Sequence, residues 1–146
     1  MGNTTLPFAI DGVQAQLNGY ENVRAVLSWM EDQKFDLDQL VLLSCSAGSL
    51  GLQVHAHDIL TRFPARRTAV VLDSFVGVFR YHKDSIQFQN FGVCQHTKLL
   101  NWDDELVEAC YTKQLTAPLH TNRLIKAFPK VQFVGISSKT GTYKFY

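Results

Sequence analysis

Four apolar residues, Leu40-Val41-Leu42-Leu43, run straight into six small ones, Ser44 to Ser49, and the chain then meets no proline before Pro64. An apolar run of strand length with no polar alternation predicts a strand buried in a parallel sheet. The small residues predict a sharp turn. Between Leu50 and Phe63 only Gly51 interrupts the helix formers, so a helix is expected behind the turn, ended by Pro64. A strand entering a tight turn and leaving as a helix is the unit from which parallel α/β sheets are built.

The rest of the chain extends that pattern. Val23, Val26, Leu27 and Met30 recur at helical spacing between Gly19 and Lys34, with Asn18 or Asn22 as a cap. Ala69-Val70-Val71-Leu72 reads as a second strand. From Ser74 to Gly92 the sequence is irregular and aromatic-rich, with a short strand expected around Ile86 to Phe88. Leu106, Val107 and Cys110 place a helix in Trp102 to Lys113, capped by Asn101, and Pro118 to Phe128 reads as a helix begun by proline. Val131 to Ile136 closes the series as a strand. Helices between strands predict an α/β fold with a mainly parallel sheet covered on both faces, a three-layer sandwich. With 146 residues, 46% apolar, the chain suits a single domain over residues 1–146.

Fourteen basic and thirteen acidic residues give a net charge of +1, so no electrostatic argument favours nucleic acid or an anionic membrane as partner. No apolar run approaches the roughly 20 residues that span a bilayer, and Met1 to Thr5 has no signal-peptide character. Cys45, Cys94 and Cys110 lack metal-site spacing. Two readings of them stand: a disulfide between Cys94 and Cys110, or three reduced, partly buried thiols. Asn3-Thr4-Thr5 is a glycosylation sequon, meaningful only outside the cell.

Chemistry enters at Ser44-Cys45-Ser46-Ala47-Gly48, a degenerate form of the G-x-S-x-G nucleophile elbow in which Ser44 replaces the first glycine. A serine at the tip of such a turn has a strained backbone and an exposed hydroxyl, and small residues are needed two positions either side of it. Ser46 is therefore the candidate catalytic nucleophile. The N–H of Ala47, at the start of the helix, is the candidate oxyanion-hole donor. The plain alternative is that Ser44 or Ser46 only caps the helix.

No companion base stands out. His55 and His57 lie roughly 14 to 16 Å along the helix from Ser46 at about 1.5 Å rise per residue. His82, His96 and His120 read as solvent-exposed residues on loops or helix edges. His55-x-His57 is not a metal pair, because alternate helical residues point apart, and no cofactor is implied. Asp73, ending a parallel strand, is a candidate surrogate acid or a structural residue. Phe75, Phe79, Tyr81, Phe88 and Phe91 read as loop packing or as the lining of an acyl or sugar pocket. Arg66-Arg67 reads as a solvated turn.

Leu43 to Gly51, His55-Ala56 and Asp73 to Val78, in this order and spacing, resemble the pectin acetylesterase family, which includes the Notum carboxylesterase. Cys94, Asn101, Cys110, Leu115-Thr116, Phe128-Pro129 and Phe133 are similar to the stretch that leads into the family's acid-bearing strand. The resemblance runs from about Gly2 to Tyr146. It implies an α/β-hydrolase-like fold, a serine hydrolase acting on acyl esters of polysaccharides or of a lipidated protein, and a secretory setting. It also implies that the chain is a segment of a larger domain, whose glycine-rich strand precedes Gly2 and whose catalytic histidine follows Tyr146. Gly141 stands where the family has its catalytic aspartate, and no Asp or Glu occurs from Val131 to Tyr146. Two expectations follow: an ester hydrolase acting through Ser46, or an inactive relative that serves as a binding protein.

Overall fold

The computed structural model describes residues 4–74 and 84–137. Gly141, His82, Phe75, Phe79, Tyr81 and Asn3 lie outside these residues. The chain is mixed α/β. Its elements are β1 (Thr4–Ile10), β2 (Val13–Leu17), α1 (Gly19–Asp32), β3 (Gln39–Cys45), α2 (Ala47–Arg62), β4 (Arg67–Asp73), α3 (Asp84–Asn90), α4 (Asp104–Tyr111), α5 (Ala117–Ala127) and β5 (Gln132–Ile136), with a 3-10 turn at Val93–His96.

β3, β4 and β5 form a parallel sheet in that order, in register from Gln39 with Arg67 to Cys45 with Asp73 and Ile136. The strands therefore end together at one edge. β4 is central and β3 lies at the side of the described sheet, which corrects the expectation of a strand buried on both faces. Burial along β3 alternates residue by residue, because only the face carrying Leu40 and Leu42 meets helices. That face packs with Val70, Leu72, Leu60, Phe128 and Phe133 into one core. On the other face Val41 is 62% and Leu43 69% exposed.

A second core gathers Tyr20 of α1, Leu50 and Val54 of α2, Phe88 of α3, Leu106 and Cys110 of α4, and Trp102 and Leu115. α2 contributes Leu60 to the first core and Val54 to the second. Burial on more than one side removes the polar stripe by which an amphipathic helix is recognised. Cys94 and Cys110 are joined by a disulfide with Cα atoms 5.6 Å apart, and Cys45 is a free, exposed thiol.

Two local expectations are corrected, and one element is found that was not expected. Ile86 to Phe88 belongs to helix α3 and not to a short strand: Ile86 is exposed while Ser85 and Phe88, three apart, are buried. The cap of α4 is Asp103, which accepts from the Leu106 N–H at 2.8 Å; the Asn101 amide donates to Asp58 instead. Before α1 the chain forms an antiparallel hairpin, β1 with β2. Asp11 and Gly12 make its two-residue turn with φ of 50° and 79°, a pairing suited to the tight turn because aspartate and glycine tolerate positive φ. The Asp-Gly signal is present in the sequence, but apolar periodicity does not reveal it.

Candidate active site

Ser46 stands between β3 and α2, with φ 54° and ψ −126°. An L-residue with this φ is sterically strained. What holds it there is the end of the neighbouring strand. The Ser46 N–H donates to the Asp73 carbonyl oxygen at 2.9 Å, and the Ser49 N–H donates to the Ser46 carbonyl at 2.9 Å. The Ser49 hydroxyl, fully buried, lies 2.9 Å from the Ser44 and Asp73 carbonyl oxygens, and Ser44 Oγ donates to it at 3.3 Å. Ser49 is a supporting residue that motif reasoning passed over, being one more small residue in a run of them.

Ser46 is exposed, and its side chain makes no capping hydrogen bond. The capping alternative therefore does not describe Ser46. Ser44 is committed to Ser49 and does not cap either. Ala47 is the first residue of α2, where N–H groups have no intrahelical acceptor and the helix presents its positive end. An ideal Cβ at Gly48 meets Ser44 Cβ at 3.8 Å, an ordinary contact. Residues 44 and 48 do face each other, as expected, but the space accepts a methyl group.

Asp73 shares the sheet edge with Ser46 through the register of β3 and β4. Its carboxylate accepts from Ser74 Oγ at 3.0 Å while its backbone oxygen holds the turn. Ser74 also has positive φ, 54°, and its N–H donates to Ile136 O at 2.8 Å. Both β3 and β4 thus end in a serine fixed by the next strand across.

Among the described residues no histidine is hydrogen-bonded to Ser46. His96 stacks on Tyr20 at 4.0 Å, with His55 on the same tyrosine at 6.0 Å. His57 meets the edge of Phe128 at 5.0 Å, and His120 lies 4.6 Å from Trp102. His120 is fully buried and His96 half-buried, which corrects their assignment as exposed surface residues. Burial is the main cause that pushes His55 down to about 4 and His120 down to about 3, so both are neutral. His57 and His96 are lowered for the same reason. Phe88 and Phe91 belong to the core or pack against it and line no pocket at the elbow.

A groove of about 450 Å³ runs between β5 and α5, lined by Leu72, Phe133, Gly135, Pro118, Ile125 and others, with Gln53 contributing from α2. Arg66 and Arg67 both pair with Asp38 at the far end of the sheet, at 2.6 and 3.2 Å, and all three are solvated. No three of the described His, Cys, Asp and Glu converge as a metal site. No described helix is long and apolar enough to cross a membrane. No family model, curated protein or solved structure matches the chain.

Proposed function

We propose that Ser46 is the nucleophile of a carboxyl-ester hydrolase of the pectin acetylesterase type, acting on an acyl ester such as an acylated polysaccharide. The observation that carries this reading is the Ser46 backbone, φ 54° and ψ −126°, with its hydroxyl exposed and spent on no cap. A position of that φ that existed only to turn the chain would favour glycine, since only glycine occupies it without strain. A strained serine at the tip of a strand-to-helix turn is the arrangement that offers a hydroxyl to substrate.

In the reaction Ser46 Oγ attacks the ester carbonyl carbon while its proton passes to a base. The negative oxygen so formed faces the Ala47 N–H, and collapse of the adduct expels the alcohol, which takes up that proton. Water then cleaves the acyl-serine by the same steps. The chemistry needs no cofactor. No described histidine is placed to take the proton, so the base belongs to polypeptide outside the described residues.

A second reading, a binding protein without chemistry, is favoured by one observation: from Val131 to Tyr146 there is no carboxylate, Gly141 included, to orient a histidine. The experiment that separates the two uses protein expressed from the complete reading frame. Fluorophosphonate labelling located at Ser46 by peptide mapping, with p-nitrophenyl acetate hydrolysis abolished by Ser46→Ala, is the result expected of the hydrolase. Absence of label at Ser46 removes that reading and leaves the binding protein.

A further inference from the structure

Residues 84–113 hold to one another. α3, the 3-10 turn and α4 pack together, Ser85 Oγ donates to the Lys113 carbonyl at 2.8 Å, and Gln89 Nε2 donates to the Cys110 carbonyl at 3.0 Å. The Trp102 N–H donates to Thr97 O at 3.1 Å, and the disulfide from Cys94 to Cys110 ties the turn to α4. A segment cross-linked in this way opens and closes as one body. Among the described residues, a histidine stands in both aromatic contacts that join this unit to the rest of the chain. Toward α1, His96 stacks on Tyr20 with ring centroids 4.0 Å apart and planes 14° from parallel. Toward α5, Trp102 lies 4.6 Å from the ring of His120. The Trp102 indole N–H also donates to the Val54 carbonyl of α2 at 3.3 Å, and the Asn101 amide to Asp58 at 3.1 Å.

His96 Nε2 and both nitrogens of His120 are buried with no hydrogen-bond partner among the described residues. A proton added to either ring in place is a buried charge without an acceptor, so it favours opening to water. The groups facing the rings do not offset this. Around His96 stand Glu21 and Arg24 of α1, which oppose one another, and His55 of α2 on the same tyrosine. Around His120 stand His57 of α2, which disfavours charge, and Asp103, whose Oδ1 is engaged by the Leu106 N–H. Burial holds both rings below the ordinary 6.5. Their contacts are therefore whole at neutral pH, and they weaken as pH falls below the value of the released rings.

The core of the sheet is built differently. Leu60, Val70 and Leu72 pack with Leu40, Leu42, Phe128 and Phe133, and the histidine that meets them, His57 on the edge of Phe128, is half-buried. We propose that residues 84–113 are an acid-released unit, latched at neutral pH by His96 on Tyr20 and by Trp102 on His120, which detaches from α1, α2 and α5 in acid while the parallel sheet and the Ser46 turn stay folded. The turn is retained because its anchor is the Asp73 carbonyl at the end of β4 and not a contact with the unit. Release uncovers Leu50 and Val54, on the helix that begins at Ala47.

Hydrogen exchange read peptide by peptide tests this, on protein from the complete reading frame at about pH 7 and about pH 4.5, with each rate referred to the intrinsic rate at that pH. Protection in α3 and α4 should fall by about tenfold or more in acid, while in β3 and β4 it should change by less than about threefold. His96→Phe combined with His120→Phe keeps a ring at both contacts and removes both protonation sites, so the double variant should hold the protection of α4 in acid. If circular dichroism at neutral pH shows that the double variant does not fold, His96→Phe alone, at the half-buried position, is expected to recover part of the loss. A loss of equal size in the sheet and the unit, no loss in α4, or a loss unchanged in the folded variant would each overturn the proposal. The last of these would assign the effect to carboxylates such as Asp58.

Discussion

The backbone N–H of Ser46 donates to the carbonyl oxygen of Asp73 at 2.9 Å, so the tip of the elbow is tied to the neighbouring strand and not to its own helix. The buried Ser49 hydroxyl lies at the same 2.9 Å from that carbonyl. One backbone oxygen therefore serves as the anchor for the turn, while the register of β3 with β4 puts that oxygen in place. Strained backbone persists only where the surroundings over-determine it, and here two hydrogen bonds from a single turn converge on a rigid strand end.

Strain at Ser46 makes a stability measurement informative. Ser46→Gly removes the Cβ that the positive φ penalises, so the variant should be more stable by about 1 kcal/mol, or about 3 °C in Tm. Ser46→Ala keeps the Cβ and should stay within about 0.5 kcal/mol of the original, because among the described residues the hydroxyl has no hydrogen-bond partner and it does not cap α2. Thermal denaturation of the three proteins checks this. Equal Tm values for the glycine and alanine variants would mean that Ser46 is not strained in solution.

The buried histidines set the response to acid. Burial lowers His55 to about 4 and His120 to about 3, from an ordinary value of 6.5. Asp58 near His55 and Asp103 near His120 oppose the shift, whereas His96 and His57 add to it. With the folded value below the unfolded one, the unfolded chain binds protons first, so stability holds above pH 6.5 and falls below it, down to about pH 3. At pH 5 each of the two should have cost the fold about 2 kcal/mol. Urea midpoints at pH 7, 6 and 5 read the slope. His120→Phe should reduce it, and a slope unchanged in that variant would show that His120 does not titrate as described.

Closing the segment between Cys94 and Cys110 restricts the unfolded chain. For a loop of 16 residues the entropy term amounts to about 3 kcal/mol. In a Cys45→Ala background, which removes the exposed free thiol, dithiothreitol or Cys110→Ser should lower the urea midpoint accordingly. Identical midpoints with and without reductant would mean that the pair is not bonded in solution.

How much of this was legible depended on whether a signal was local. β3, the turn at Ser46 and the start of α2 at Ala47 were legible because an apolar run, small residues and a breaker-free stretch sit side by side. The conformation of Asp11 and Gly12 was equally local, but a two-residue turn carries no periodicity. Ile86 to Phe88 misled because three residues fit a strand as well as a helix with one buried turn. The surroundings of His120 and His96 were not legible at all: what buries them is Trp102 and Tyr20, brought up by other elements. At the site, Ser46 could be singled out by its neighbours in sequence, whereas Ser49 and the Asp73 carbonyl matter through a contact across 24 positions.

The last prediction concerns residues 1–146 on their own, which should hydrolyse p-nitrophenyl acetate no faster than their Ser46→Ala variant. An unassisted serine hydroxyl is almost wholly protonated at neutral pH and is a weak nucleophile. Among the described residues nothing is hydrogen-bonded to the Ser46 hydroxyl, and the buried histidines hold their rings against Tyr20, Phe128 and Trp102. Where a triad loses a member, roughly 10³ to 10⁴-fold acceleration over water survives, and it comes from the oxyanion hole and substrate binding. Ala47 supplies one candidate donor here, and lack of a second typically lowers turnover by about 10² to 10³. These losses need not multiply, but none opposes another. A fluorophosphonate probe gives the second readout, since labelling requires an activated serine but no turnover. Labelling of the wild-type chain well above the Ser46→Ala control would sink the prediction and identify a base within these 146 residues, with His82 the first to substitute.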